Sequence, residues 1–239
     1  NEGTGCGRAL TGRRESSWYL TKIEHPSGDI ITLEYEEYQY QYPLSVSQTV
    51  GRNLGMQDIA CNPTNPTPCL NDYVQTCSTH SNIIGKYLKK ISAAGYGSIE
   101  FVATDDRLDI EGEYKLNEVI IKDVHGVILK QFVLNYVFSQ SDTDFSNQWT
   151  TLGVDRRMFL SSVEQRDDNN ALVSSHILTY DDINGLPPRL SYAQDHWGYF
   201  NGADNEYLVP EDEQLREDAV GRKVFDGIGG DRNPNSAFS

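Results

Sequence analysis

A Leu, two polar residues and an Ile or Val, followed by a polar turn and a strand that closes on an aromatic ring, is written four times along this chain. The first copy runs Trp18-Tyr19-Leu20-Thr21-Lys22-Ile23, turns at Pro26-Ser27-Gly28-Asp29 and returns as Ile30-Ile31-Thr32-Leu33-Glu34-Tyr35. β-Branched residues, alternation and a short turn of this composition specify a β-hairpin. The later copies carry Leu88/Ile91, Leu116/Val119 and Leu160/Val163 and close on Phe101, Tyr136 and Tyr180. Their turns are Ala94-Gly95-Tyr96-Gly97, Asp123-Val124-His125-Gly126 and Asp167-Asp168-Asn169-Asn170. The copies are unevenly spaced, so the pattern is a degenerate repeat with insertions and not a strict solenoid.

Residues three apart on a flat strand point to opposite faces. The Leu and Ile/Val anchors therefore require either that both faces be covered or that a bulge shift the register between them. Both outcomes suit an all-β, antiparallel, hairpin-based domain, expected here as a large β-sandwich or stacked sheets with long loops. The 14 Tyr against 2 Met agree with strands.

The expected organisation is an irregular lead-in over 1–16, one β domain over 17–207 with a loop insertion at 43–82, and an acidic, then glycine-rich linker over 208–239. Residues 140–157 and 183–207 read as further loops. Pro210 to Ala219 suits a short helix or an acidic solvated loop equally. The start at Asn1 and the run Gly229-Gly230-Asp231 lead to the expectation of a piece cut from a longer polypeptide.

The net charge of -15 argues against binding to nucleic-acid phosphates or anionic membranes. No apolar run reaches the roughly 20 residues needed to span a bilayer. Cys6, Cys61, Cys69 and Cys77 are disulfide candidates, three of them in a Pro/Thr/Asn-rich loop with little apolar material to hold it. A zinc site with His80, or free thiols, are the alternatives; the short C-x2-C knuckle is missing.

Four patterns invite chemistry. Tyr38, Tyr40 and Tyr42 share one face of a strand, as a sugar-binding platform or as cross-strand packing. Asp195-His196-Trp197 offers a histidine beside a carboxylate, but no Gly-x-Ser-x-Gly turn accompanies it. Its plainer reading is a loop tied down by Asp and His, with Trp197, Tyr199 and Phe200 against a sheet. Trp197 and Tyr199 are also candidate glycan contacts. Adjacent acids such as Asp105/Asp106 and Asp181/Asp182 fall in turns, where they serve the backbone, so a glycosidase is the weakest reading. Asp142 and Asp144, or Asp204, Asn205 and Glu206, offer oxygens to calcium without an EF-hand pattern. No catalytic residue, metal site or cofactor is assigned.

The hairpin Trp18 to Tyr35, the stretch Lys115 to Tyr136 and the strings Leu186-Pro187-Pro188-Arg189, Asp195 to Gly202 and Asp231-Arg232-Asn233-Pro234-Asn235 resemble the region preceding the repeats in large RHS/YD-repeat surface proteins of Bacteroidetes-type bacteria. The resemblance implies a secreted or cell-surface location and a non-catalytic scaffold, partnered by the repeat region of the same polypeptide, with glycans as the other candidate partner. It brings no catalytic residues. The typical Tyr-Asp dipeptide is poorly kept, with Lys122-Asp123 at one turn and Tyr180-Asp181 at a strand end.

Overall fold

The computed structural model describes residues 12, 14–51, 73–141, 153–203 and 205–209. The strands are β1 (Lys22–Glu24), β2 (Ile30–Gly51), β3 (Tyr73–Ala93), β4 (Gly97–Thr104), β5 (Lys115–Lys122), β6 (Ile128–Gln140), β7 (Arg156–Arg166) and β8 (Leu172–Ile177). They form one antiparallel sheet of eight strands in chain order. The fold is all-β, and each hairpin of the sequence pattern supplies two neighbouring strands.

Among the described residues there is no second sheet, so the expected sandwich is not what these strands build. The bulge supplies the reason. Val102 pairs with Glu118 and Ala103 with Leu116, which leaves Asn117 as an extra residue. Asn135 pairs with Ser162 and Tyr136 with Leu160, which leaves Ser161 extra. Each extra residue lies between the two anchors of its copy. Leu116 thus joins Val119, and Leu160 joins Val163, on one face.

The closing tyrosine bonds back to the Leu that opens its copy. Tyr35 Oη donates to Leu20 O at 2.9 Å, Tyr136 Oη to Leu116 O at 2.7 Å and Tyr180 Oη to Leu160 O at 2.9 Å. The aromatic that ends the repeat is therefore a hydrogen-bond donor to the Leu that begins it. The second copy has Phe101 and lacks the hydroxyl.

The turns are equally regular. Asp123 Oδ1 accepts from His125 N and Val127 N, both at 2.8 Å. Asp167 Oδ1 accepts from Asn169 N at 2.9 Å and Ala171 N at 2.8 Å. A left-handed residue follows in each, Gly126 at φ 79° and Asn170 at φ 63°, as a type I turn with a bulge requires.

The chain divides into two compact units. One comprises Thr11–Tyr42 and Ser81–Arg189; the other draws its described residues from Pro43–His80 and Leu190–Ser239. In the first, Ile110 and Val154 are the buried apolar side chains among those described, while Phe101, Phe132, Leu134 and Val163 on the sheet are half-buried. In the second, Ala193 is buried, Gln48 Nε2 donates to Thr76 Oγ1 at 3.1 Å and Leu208 N donates to Gln48 Oε1 at 2.8 Å.

The insertion expected at 43–82 is shorter than that. β2 continues to Gly51 and β3 begins at Tyr73, because Val46, Thr49, Val74 and Thr76 prolong the strand pattern. The segments 52–72, 142–152 and 210–239, with the suggested helix, lie outside the described residues, as does the lead-in apart from residues 12 and 14–16. The 183–207 stretch holds a short 3-10 turn at Ile183–Gly185 and one isolated bridge, Gln194 to Phe200.

Candidate functional site

The tyrosine stripe gathers partners that the sequence did not reveal. Tyr38 and Tyr40 stack with ring centroids 5.6 Å apart and planes 13° apart. Tyr38 meets the edge of Tyr114 at 5.2 Å and tilts against Tyr87 at 6.2 Å, while Tyr87 and Tyr114 stack at 5.0 Å. Gly85 on β3 makes room for this cluster, since a Cβ there would stand 2.9 Å from Tyr38 Cζ. The rings are half-buried against one another.

The loop between β4 and β5 lies beside them. Arg107 clamps Asp109 through Nε at 3.0 Å and Nη2 at 2.8 Å, and reaches Glu113 with Nη1 at 2.9 Å. Gly112, at φ +78°, lets the loop approach β2: a Cβ there would sit 2.8 Å from Gln39 O. The guanidinium of Arg189 lies 5.4 Å from the Tyr42 ring centroid, and its Nη2 donates to Asp109 O.

The two carboxyls respond in opposite directions. Burial pushes Asp109 up, but the Arg107 fork and its charge outweigh this and hold it below the ordinary value. Glu113 is raised: burial dominates, and Asp109 adds like-charge repulsion against the pull of Arg107. Burial also raises the Tyr38 and Tyr40 phenols. Opposed pKa values in neighbouring acids are a catalytic pattern. Here, however, both Asp109 oxygens are held by Arg107 and the residue is only 5% exposed. The arrangement anchors a loop under a tyrosine cluster.

Asp195-His196-Trp197 proves to be another turn of the repeat kind. Asp195 Oδ1 accepts from Trp197 N at 2.8 Å and Tyr199 N at 2.9 Å, and Gly198 follows at φ 87°. That oxygen does the work of Asp123 and Asp167. Trp197 and Tyr199 do not lie against a sheet; they are 72% and 73% exposed. The aromatic candidates therefore fall in both units, with Tyr38, Tyr40 and Tyr42 in one and Trp197 and Tyr199 in the other.

A His/Ser/Asp group occurs in the first turn, where Ser27 Oγ lies 2.7 Å from both His25 Nδ1 and Asp29 Oδ2. The serine stands between the other two, whereas a nucleophilic triad places the imidazole in the middle. Cys77 is disulfide-bonded, which removes it from a zinc site; Cys6, Cys61 and Cys69 lie outside the described residues. No group of His, Cys, Asp or Glu among the described residues is placed to hold a metal ion. Asp142, Asp144 and Asp204 are outside them. No helix among them is long and apolar enough to cross a membrane.

Sequence reasoning passed over Arg107, Asp109, Glu113, Tyr87, Tyr114 and Arg189. One signal was present: Arg107 is the lone cation in the run Asp105 to Glu113, and a cation so placed tends to be the partner of its neighbours. No family model, no curated protein and no solved structure matches this chain.

Proposed function

We propose that this chain is a non-catalytic structural segment of a large exported protein, a length of β-sheet leading into hairpin repeats of the RHS/YD kind. The observation that carries the reading is the sheet itself: repeated hairpins laid down in chain order, three of them closed by the same Tyr-to-Leu bond. Such a sheet grows by adding hairpins at an edge. The β8 edge supports growth there. All its residues, Leu172-Val173-Ser174-Ser175-His176-Ile177, are exposed, and it has none of the Lys, Glu or Pro that usually guard a free edge.

Leu178 N donates to Ser161 O, so by alternation Ser174 and His176 turn their backbone toward β7 and Ser175 turns outward. Ser175→Pro then tests the reading. In this chain alone it costs less than about 1 kcal/mol, because only an outward N–H is lost. In the longer polypeptide, the same change lowers stability by more than 2 kcal/mol on the order-of-magnitude scale of a proline set into a paired strand. Equal, small effects in both settings would sink the proposal.

A glycan-binding module is the second reading, favoured by the exposure of Trp197 and Tyr199. Binding on a glycan array that Trp197→Ala abolishes would establish it in place of the first.

A further inference from the structure

We propose that Arg157 and Arg189 form a binding site for a small oxyanion at the end of the β6–β7 pair. The inference is independent of the scaffold reading.

Arg157 stands opposite Ser139 in the ladder, and its N donates to Ser139 Oγ at 3.2 Å. Its Nη2 donates to Pro187 O at 2.9 Å. Arg189 N donates to Val154 O at 2.8 Å, and its Nη2 reaches Gly153 O at 3.3 Å. Both arginines are thus bound against the same two stretches, 153–157 and 187–189.

What these groups lack is as informative. Arg157 Nε and Arg189 Nε are buried with no hydrogen-bond partner, and so is Ser141 Oγ. Ser141 belongs to the same end of the sheet, since its N donates to Asp155 O at 2.8 Å. Among the described residues these three are the buried side-chain atoms without a partner. Buried donors are nearly always satisfied, so three of them on stretches bonded to one another point to an occupant.

The charges give the same answer. Arg107, Arg156 and Arg166 each make an ion pair, but among the described residues neither Arg157 nor Arg189 does. The Asp109 carboxylate is forked by Arg107 and also feels the Arg189 charge, and Asp155 Oδ2 accepts from Gln140 Nε2 at 2.6 Å. Burial pushes the Arg157 guanidinium down, and the charge of Arg189 pushes it further. Two cations placed together in a chain of net charge -15 leave a position for a negative group. Guanidinium forks suit carboxylate, sulfate and phosphate oxygens.

The test is calorimetric titration of the whole chain with sodium phosphate, sodium sulfate and sodium glucuronate, each against sodium chloride at matched ionic strength. The expected result is saturable binding of one anion per chain. Arg157→Gln weakens it about tenfold or more, the loss of a charge-assisted hydrogen bond. Should Arg157→Gln fail to fold by circular dichroism, Ser141→Ala keeps the charges and weakens binding about threefold. Tighter binding of glucuronate assigns the site to a sugar acid; tighter binding of phosphate or sulfate assigns it to an inorganic or esterified oxyanion. Heats that match chloride for all three, or affinity unchanged in the variant that folds, overturn the proposal.

Discussion

Tyr136→Phe isolates the bond that defines the repeat. The substitution removes one oxygen and leaves the ring, its pairing position opposite Leu160 and the Lys115 ammonium 5.8 Å from the ring centroid. What is lost is the 2.7 Å bond from Oη to Leu116 O, at the bulge where Asn117 is extra. The site is partly buried, and burial pushes the Tyr136 phenol up, so water replaces the hydroxyl poorly. A neutral hydrogen bond contributes about 1 kcal/mol net, and stranding a buried carbonyl raises the loss to about 1.5 kcal/mol. With a urea m-value of about 2 kcal/mol/M, the midpoint falls by about 0.7 M. Tyr35 and Tyr180 make the same bond in exposed surroundings, where water competes, so Tyr35→Phe and Tyr180→Phe cost about 0.5 kcal/mol or less. The assay is urea unfolding followed by circular dichroism, with m unchanged across the set. If Tyr136→Phe matches wild type, or costs no more than Tyr180→Phe, the tyrosine does not close the bulge energetically.

Asp195→Ala strands two turn amides and lowers stability by about 1–2 kcal/mol, whereas Asp195→Asn keeps an acceptor oxygen and loses less than half as much; Trp197 fluorescence during unfolding reads both. Gly153→Ala costs about 3 kcal/mol or more, because the residue sits at φ +78° and the new Cβ would stand 2.6 Å from Asp109 O and Leu108 O; thermal unfolding measures it. Asp109 is held below its ordinary value of 3.8, so its contribution is present above that pH and is lost as the pH falls through the depressed folded value. Asp109→Asn therefore destabilises by about 3 kcal/mol at pH 7 and by much less in acid. Parallel stability curves for the two proteins down to pH 2 would refute the Arg107–Asp109 pairing.

Much of the sheet was legible because its signals are local. The Leu-x-x-Ile/Val anchors, the polar turns and the closing rings each act within one hairpin, and neighbours in sequence became neighbours in space. The bulge was legible as one of two solutions; choosing between them required knowing whether a second layer exists. The bond from Tyr136 to Leu116 was less accessible, because a ring at a strand end reads first as apolar packing. Asp195 was legible as a residue that ties its loop down; the placing of Trp197 and Tyr199 against a sheet was not, since both are exposed. The Asp-x-x-Gly spacing at Asp195 matches Asp123 to Gly126 and marks the same kind of turn. Among the candidate site residues, Tyr38, Tyr40 and Tyr42 were found by period 2. Arg107 and Arg189 were not, since their partners depend on how loops close over β2, and no periodicity encodes that.

The two sheet faces and the two edges together bear on how such a sheet is used. Pairing places Ile99, Phe101, Val119, Phe132 and Leu134 on one face. On the other, Glu100 lies 3.2 Å from Lys90 and 2.5 Å from Lys122, and Asn135 donates to Ser162 at 2.9 Å. Cross-strand polar pairs of this kind add a few tenths to about 1 kcal/mol each, so ladder bonds, cross-strand pairs and closing tyrosines hold the hairpins where the apolar residues are only half-buried. Edges then decide where another strand can join. β1 is three residues long and carries the Lys22–Glu24 ion pair, a short and charged edge that resists pairing. β8 is twice that length and has no formal charge when His176 is neutral. An incoming strand therefore meets less desolvation cost at β8 than at β1, and addition there runs in the direction of the chain. That asymmetry is what a segment leading into further hairpins requires, and it makes Ser175 the position at which the proposed function is most exposed to test.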